Sequence, residues 1–153
     1  MSYWQAGRGA EMRTVLLAGI LAAGMAAPAW AGGVTVRDGW MRMTMPSHPA
    51  AGYFVLHNDT DAALKLTGAE SPGCGDLMLH RSVSEGGQEK MEMVMEVPVP
   101  AHGSVAFAPG GYHLMCMEPT TAMKQGGSVP VTLRFGDGSQ VQATFAVKSA
   151  MGE

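Results

Sequence analysis

The sequence predicts an all-β domain, a barrel or sandwich of seven to nine short strands. Apolar and polar residues alternate over many short runs, which is typical of strands with one buried face. Clusters of Gly, Pro, Asn and Asp separate these runs and predict turns between them. Only residues 119–126, "PTTAMKQG", have the composition of a helical turn.

The strands are expected in a simple chain order. The first run, "GVTVRDGWMRMTM" at 33–45, contains an Asp-Gly pair that predicts a turn, and "EGGQ" at 85–88 predicts a hairpin. Asp137-Gly138 joins the last two strands as a second hairpin. The other predicted strands are "AGYFVLHN", "LKLTGAE", "DLMLHRSV", "EKMEMVMEVPV", "SVAFA", "YHLMCM", "VPVTLRF" and "SQVQATFAV".

Residues 1–31 are predicted to be a secretory signal peptide. Arg13 precedes the apolar run "TVLLAGILAAGMAAPAWA", which ends in the small-residue pattern Ala29-Trp30-Ala31. Gly and Pro interrupt this run, and it is too short for a convincing membrane span. Met12 is an alternative start of translation, directly before Arg13.

Cleavage after Ala31 leaves residues 32–153, a length that suits a single domain. The loss of Arg8, Glu11 and Arg13 changes the formal net charge from −3 to −4. This charge argues against a nucleic-acid-binding protein, which carries a basic surface. Export also implies an oxidising compartment, where a disulfide is the default state of two cysteines.

Methionine and histidine recur on alternating positions, so that several of them share one face of a strand. A core face explains each methionine taken alone, because methionine fills cores readily. It explains His80 and His113 less well, since a buried imidazole needs a hydrogen-bond partner. The groups are Met41, Met43 and Met45; Met78 and His80; Met91, Met93 and Met95; and His113, Met115 and Met117.

Thioether sulfur combined with imidazole favours Cu(I), because soft ligands select the reduced metal. Structural zinc sites use thiolates, imidazoles and carboxylates, and calcium sites need clustered carboxylates. A blue-copper site requires a cysteine thiolate followed by further ligands. No histidine follows Cys116, so that class of electron carrier is excluded.

The two cysteines lie close in sequence to the two histidines. Cys74 precedes His80 by six residues, and Cys116 follows His113 by three. A disulfide between them, which would brace both segments, is favoured over a role for either thiol as a metal ligand.

These residues resemble a known family, the periplasmic PCuAC-type copper chaperones. The pattern from His80 through Met91 and His113 to Met115 is similar to the H-x10-M-x21-H-x-M signature of that family. The segments "PAHGSVAFAPGGYHLM", "GGSVPVTLRFGDG" and "AAGYFVLHN" resemble the family as well, and the similarity extends over the whole mature chain.

The resemblance implies a cupredoxin-like β-barrel that binds one Cu(I) near its surface through His80, Met91, His113 and Met115. It implies a monomeric periplasmic carrier, not an enzyme, that delivers copper to the dinuclear centre of cytochrome c oxidase or to its assembly factor. Met93 and Met117 share the ligand face and are expected beside the ligands or as substitutes for them.

Two other functions stay open. One is a copper-linked redox protein in which Cys74 and Cys116 exchange a thiol for a disulfide. The cysteines are far apart in sequence and do not form a Cys-x-x-Cys pair, which argues against this function. The other is a metal-free β-sandwich adaptor, in which all the methionines serve packing.

Overall fold

The computed structural model describes residue 27 and residues 29–152, and this part of the chain consists of eleven strands joined by turns. The prediction of an all-β domain is therefore confirmed, with more strands than expected because two short ones are added. The strands are β1 (Ala29–Trp30), β2 (Val34–Arg42), β3 (Ala50–Asn58), β4 (Leu64–Glu70), β5 (Cys74–Glu85), β6 (Gln88–Met93), β7 (Val97–Val99), β8 (Gly103–Phe107), β9 (Tyr112–Pro119), β10 (Ser128–Phe135) and β11 (Ser139–Lys148).

The strands hydrogen-bond in the order β6-β5-β9-β8-β3-β2-β11-β10-β4-β7, with β1 added beside β11. The end of β9 also pairs with β3, so that β5, β9, β3, β2 and β11 lie side by side in one stretch of sheet. Most neighbours are antiparallel, whereas β2 and β11 are parallel. The sheet folds over as a sandwich around one core.

Strict alternation along the strands builds this core. In β10, Val129, Val131 and Leu133 are buried while the residues between them are exposed or half-exposed. Burial of each such side chain contributes roughly 1.5–3 kcal/mol. The largest fully buried side chains come from both layers of the sandwich: Phe54, Phe145, Met41, Leu56, Leu66, Leu114 and Leu133.

The Asp38-Gly39 pair does not form the turn that its composition predicts. It lies inside β2 as an irregularity, where the register with β3 shifts between Arg37 and Trp40. Asp38 adopts a left-handed backbone with φ of 53°. A Cβ on Gly39 would lie 2.7 Å from the ring of Phe145, so glycine is required for this close approach. The prediction of a turn was wrong because a bulge uses the same residue types.

The three methionines at the end of β2 and just after it divide between core and surface. Met41 and Met43 are buried in the core, whereas Met45 lies beyond the strand and is exposed. Core packing therefore explains Met41 and Met43.

The signal-peptide prediction falls mostly on residues outside the described part of the chain. Of its last residues, Ala29 and Trp30 pair with Ser139 and Gln140 of β11. The described residues contain no helix able to cross a membrane.

Cys74 and Cys116 form a disulfide bond with their Cα atoms 5.4 Å apart. Strands β5 and β9 are antiparallel neighbours, and Cys74 lies opposite Pro119 while Leu77 lies opposite Cys116. Cys116 is buried, so the bridge joins the surface end of β5 to the core side of β9.

Replacing both cysteines by alanine is expected to lower the free energy of unfolding by about 2–4 kcal/mol, because the bridge closes a loop with a sequence separation of 42 residues. Urea unfolding followed by circular dichroism measures this change, with the reduced wild type as the control for loss of the bond alone. An unchanged midpoint in both proteins contradicts a bracing role.

Candidate metal centre

The residues predicted as ligands come from three adjacent strands, β6, β5 and β9. His80 of β5 lies directly opposite Met93 of β6 on one side and opposite His113 of β9 on the other. Directly opposed residues in a sheet point to the same face. One row across the three strands thus carries Met93, His80 and His113 on the outer face, while Leu79 and Leu114 in the neighbouring row face the core.

The two imidazoles lie in edge contact, with ring centroids 5.7 Å apart and planes inclined by 64°. His113 Nδ1 lies 3.2 Å from the carbonyl oxygen of Gly111, to which it can donate a hydrogen bond. That bond places the proton on Nδ1 and leaves Nε2 with a free lone pair. The same carbonyl accepts the backbone N–H of Ser82 at 3.0 Å, so it also ties β5 to the start of β9.

The Pro-Gly-Gly turn positions this carbonyl. Gly110 has a φ of 84°, a left-handed conformation that favours glycine, and Gly111 N–H closes the turn on the carbonyl of Ala108 at 3.0 Å. The short sequence "PGGYHLM" therefore both starts β9 and orients the ring of His113.

Two imidazole nitrogens, His80 Nδ1 and His113 Nε2, are buried and have no hydrogen-bond partner in the described part of the chain. Buried polar atoms in proteins are nearly always partnered. An unprotonated imidazole nitrogen in this position is the form that binds a metal ion. The pair therefore fits a cation held between them.

Methionines flank the histidine pair in the register of the same face. Met115 lies opposite Met78, one diagonal step from His80, and Met91 lies opposite Ser82, one diagonal step on the other side. Diagonal neighbours have Cα atoms about 7–8 Å apart, which a long side chain spans. The exposure is uneven: His113 is 3 % exposed, whereas Met91 and Met93 are 63 % and 61 % exposed.

The strand pairings place the two methionines expected beside the ligands, Met93 and Met117, at different distances from the histidines. Met93 lies directly opposite His80, closer in register than Met91. Met117 lies opposite Asp76, two residues further along β9 from Met115 and four from His113. Met78 joins the face but was absent from the predicted set, although its position two residues before His80 places it on the same face of a strand.

The site carries little charge of its own. Burial from water lowers the pKa of His80, and the positive charge that His113 can acquire lowers it further. The described residues contain no group of three or more His, Cys, Asp and Glu side chains able to hold a metal ion. The side chains next to the two histidines on this face that carry a soft donor atom are methionines.

The remaining histidines lie elsewhere and make other contacts. His57 bonds to Asp59 at 2.7 Å and to Ser104, and His102 bonds to Asp61 at 2.5 Å. The contacts of His57 and His102 lie on exposed surface between β3 and β8, so they do not extend the site.

Comparison with known proteins assigns the chain to a family. A family described as "Putative lipoprotein LpqE-like" matches residues 34–147. The chain belongs to the LpqE-like family. A relative named "Putative lipoprotein Lxx21020", from Leifsonia xyli, is 32% identical over 123 residues, which are 80% of this chain and 74% of the relative.

Solved structures share the fold of this LpqE-like chain. The copper-bound PCuAC domain from PmoF2 has a TM-score of 0.64 at 21% identity, covering 77% of this chain and 94% of that domain. The solution structure of CuI-DR1885 from Deinococcus radiodurans has a TM-score of 0.57 at 31% identity, covering 83% of each chain. The predicted resemblance to PCuAC domains is thus confirmed.

In the metal-free protein His80 is expected to titrate below the ordinary histidine pKa of 6.5, because burial and His113 both disfavour its charged form. The chemical shift of its ring protons against pH measures this value by NMR. The unfolded chain then binds this proton more tightly than the folded protein, so charging of His80 destabilises the fold as pH drops below the ordinary value.

The His113→Gln variant is expected to raise the pKa of His80 part of the way back toward the ordinary value. The substitution removes the repulsion between two charged imidazoles but leaves His80 as buried as before. His102→Gln serves as the control and should leave the value unchanged. A His80 that titrates at or above 6.5 contradicts the burial that the fold implies.

Proposed function

We propose that this protein is a copper carrier that binds one Cu(I) through His80, Met91, His113 and Met115 and delivers it to a copper-accepting protein. The observation that carries the proposal is the pair of buried, unpartnered imidazole nitrogens beside methionine sulfurs on one sheet face. Imidazole and thioether are the donor types that favour reduced copper.

The donor set also suits transfer. All four ligands are neutral, so no thiolate binds the ion with its own charge. Thioether bonds exchange stepwise, and an acceptor that supplies thiolates can take the ion over. Protonation of His80 competes with the metal only in acid, because burial keeps its pKa below the ordinary value, whereas the methionines do not protonate.

The relatives support copper as the cargo. The structure from Deinococcus radiodurans, 31% identical, is titled as a Cu(I) form. The acceptor that we propose is the dinuclear copper centre of cytochrome c oxidase, or the assembly factor that serves it.

We further propose that residues 1–31 are a signal peptide and that residues 32–153 act in the periplasm as a monomer without nucleic-acid partners. The disulfide of Cys74 and Cys116 suits an oxidising compartment. Both cysteines of the sequence are in this bond, so neither is available for lipid attachment.

The other two functions are less well supported. A thiol-exchange protein needs an accessible sulfur, but Cys116 is buried in the core and Cys74 is partly buried against it. A metal-free adaptor leaves the unpartnered nitrogens of His80 and His113 without explanation.

Residues 32–153 are expected to bind one equivalent of Cu(I) in an anaerobic titration against a chromophoric Cu(I) chelator. A variant with His80→Ala, Met91→Leu, His113→Ala and Met115→Leu should lose this binding. Met45→Leu, at an exposed methionine outside the site, is the matched control. Equal binding by wild type and quadruple variant would falsify the carrier function.

A second experiment compares the Cu(I) affinities of the Met91→Leu and Met93→Leu variants, because both methionines of β6 lie on the face of His80. Both substitutions preserve volume and leave folding intact. If Met91 is the ligand, its loss lowers Cu(I) affinity at least about tenfold, a change of about 1.4 kcal/mol. If Met93 is the ligand instead, as its position opposite His80 favours, the larger loss moves to that variant. The number of sulfur neighbours from X-ray absorption spectroscopy distinguishes a lost ligand from a rearranged one.

A further inference from the structure

Beside the metal centre the same outer face carries a group of cations and aromatic rings, which we name the basic shelf: Arg42, Lys148, Trp40 and Tyr53. Paired residues on neighbouring strands link the shelf to the candidate site. Met115 lies opposite Ala51 of β3, Ala51 lies opposite Arg42 of β2, and Arg42 lies opposite Lys148 of β11. Two strand spacings separate Arg42 from Met115, about 10 Å between backbones.

Stacking holds the cations of the shelf in place. Arg42 lies over the ring of Tyr53 at 5.3 Å, and Lys148 lies over the ring of Trp40 at 5.5 Å. The two rings contact each other, with centroids 5.0 Å apart. Such cation–π contacts position the charged groups and leave their N–H donors open to an anion. Ala51, between the shelf and Met115, carries too short a side chain to block access.

The shelf brings together two cations that have no carboxylate partner. Lys65, Arg81, Lys90 and Arg134 each form an ion pair with a glutamate. Arg42 and Lys148 form none in the described residues, and Arg37 and Lys124 form none there either, but Arg42 and Lys148 lie opposite each other on paired strands. The chain as a whole has a net charge of −3. Two carboxylates share the ligand face, and both lie on the other side of Met115 from Arg42: Asp76 is opposite Met117, and Glu89 of β6 is opposite Ser84.

A protein that takes copper from this site has to cover this face. His113 is almost fully buried, so an incoming ligand approaches over the exposed edge of the site and the surfaces around it come into contact. Half-exposed arginine and tryptophan are residue types that dominate the binding energy of interfaces.

We propose that the basic shelf docks the copper acceptor, and that the acceptor presents carboxylate side chains next to its own copper ligands. The inference rests on the proposed carrier function. Docking by opposite charges accelerates encounter and orients the partners, while the affinity for the metal itself stays with the ligands.

The test uses synthetic acceptor peptides with one shared pair of cysteine ligands, flanked by glutamates in one peptide, by glutamines in the second and by lysines in the third. Copper-loaded wild type is expected to transfer Cu(I) fastest to the glutamate peptide, measured by stopped flow at low ionic strength. Salt should reduce this preference, because exposed charges are screened.

The Arg42→Gln/Lys148→Gln variant is expected to transfer about three- to tenfold more slowly to the glutamate peptide, with unchanged Cu(I) affinity. Lys65→Gln removes a lysine on β4, away from the shelf and from the ligand strands β5, β6 and β9, and should match wild type. Arg42→Glu/Lys148→Glu should reverse the preference toward the lysine peptide, which loss of stability alone cannot produce.

Transfer rates that do not depend on peptide charge, or an equal slowing in the control variant, overturn the proposal. If the wild type binds no Cu(I), the carrier function fails first. Docking is then judged on metal-free protein with fluorescent peptides: selective binding of the glutamate peptide that disappears in Arg42→Gln/Lys148→Gln supports the shelf, and its absence ends the proposal.

Discussion

The antiparallel register of β5 against β9 is the constraint on which the site depends. It places His80 opposite His113, and a slip of either strand by one residue would turn the imidazole of that strand toward the core and its leucine, Leu79 or Leu114, out of it. Three features hold the register: the core leucines, the disulfide between the same two strands, and the Gly111 carbonyl that accepts from Ser82 N–H and lies within bonding reach of His113 Nδ1. Fold stability and ligand geometry therefore come from one set of contacts, which is why a small domain can hold a precise site on its outer face.

Much of this arrangement follows from the sequence alone. Alternation placed His80, His113 and Met115 on shared faces, and the spacing of the cysteines suggested that they brace the same segments. What the sequence could not give is pairing between strands. Nothing local distinguishes Met91 from Met93, because both have the same parity, and only the partner strand places Met93 beside His80. The prediction of a turn at Asp38-Gly39 was wrong for a related reason. The conformation of this pair depends on the ring of Phe145, which packs against it from a distant strand.

The burial of the donors suggests an order of ligand exchange. His113 is fixed from below by a hydrogen bond and by packing, so it is the donor least able to leave. The methionines of β6 lie on a strand whose residues are all exposed, at the edge of the sheet. Thioethers bind without charge and their side chains are flexible. An acceptor therefore meets the exposed methionines first and the histidines last.

This order also explains why a surface next to the site is needed. In the proposed transfer the methionines are displaced one at a time, the ion is shared between two proteins, and the complex must persist through several exchanges. Neutral ligands give no long-range attraction to hold the partners during that time. Charges at the border of the site supply it at little cost to the metal affinity, since at about 10 Å in water their effect on the ion is small. Because different residues bind the partner and the metal, the affinity for the partner and the affinity for Cu(I) can each have the value that transfer requires.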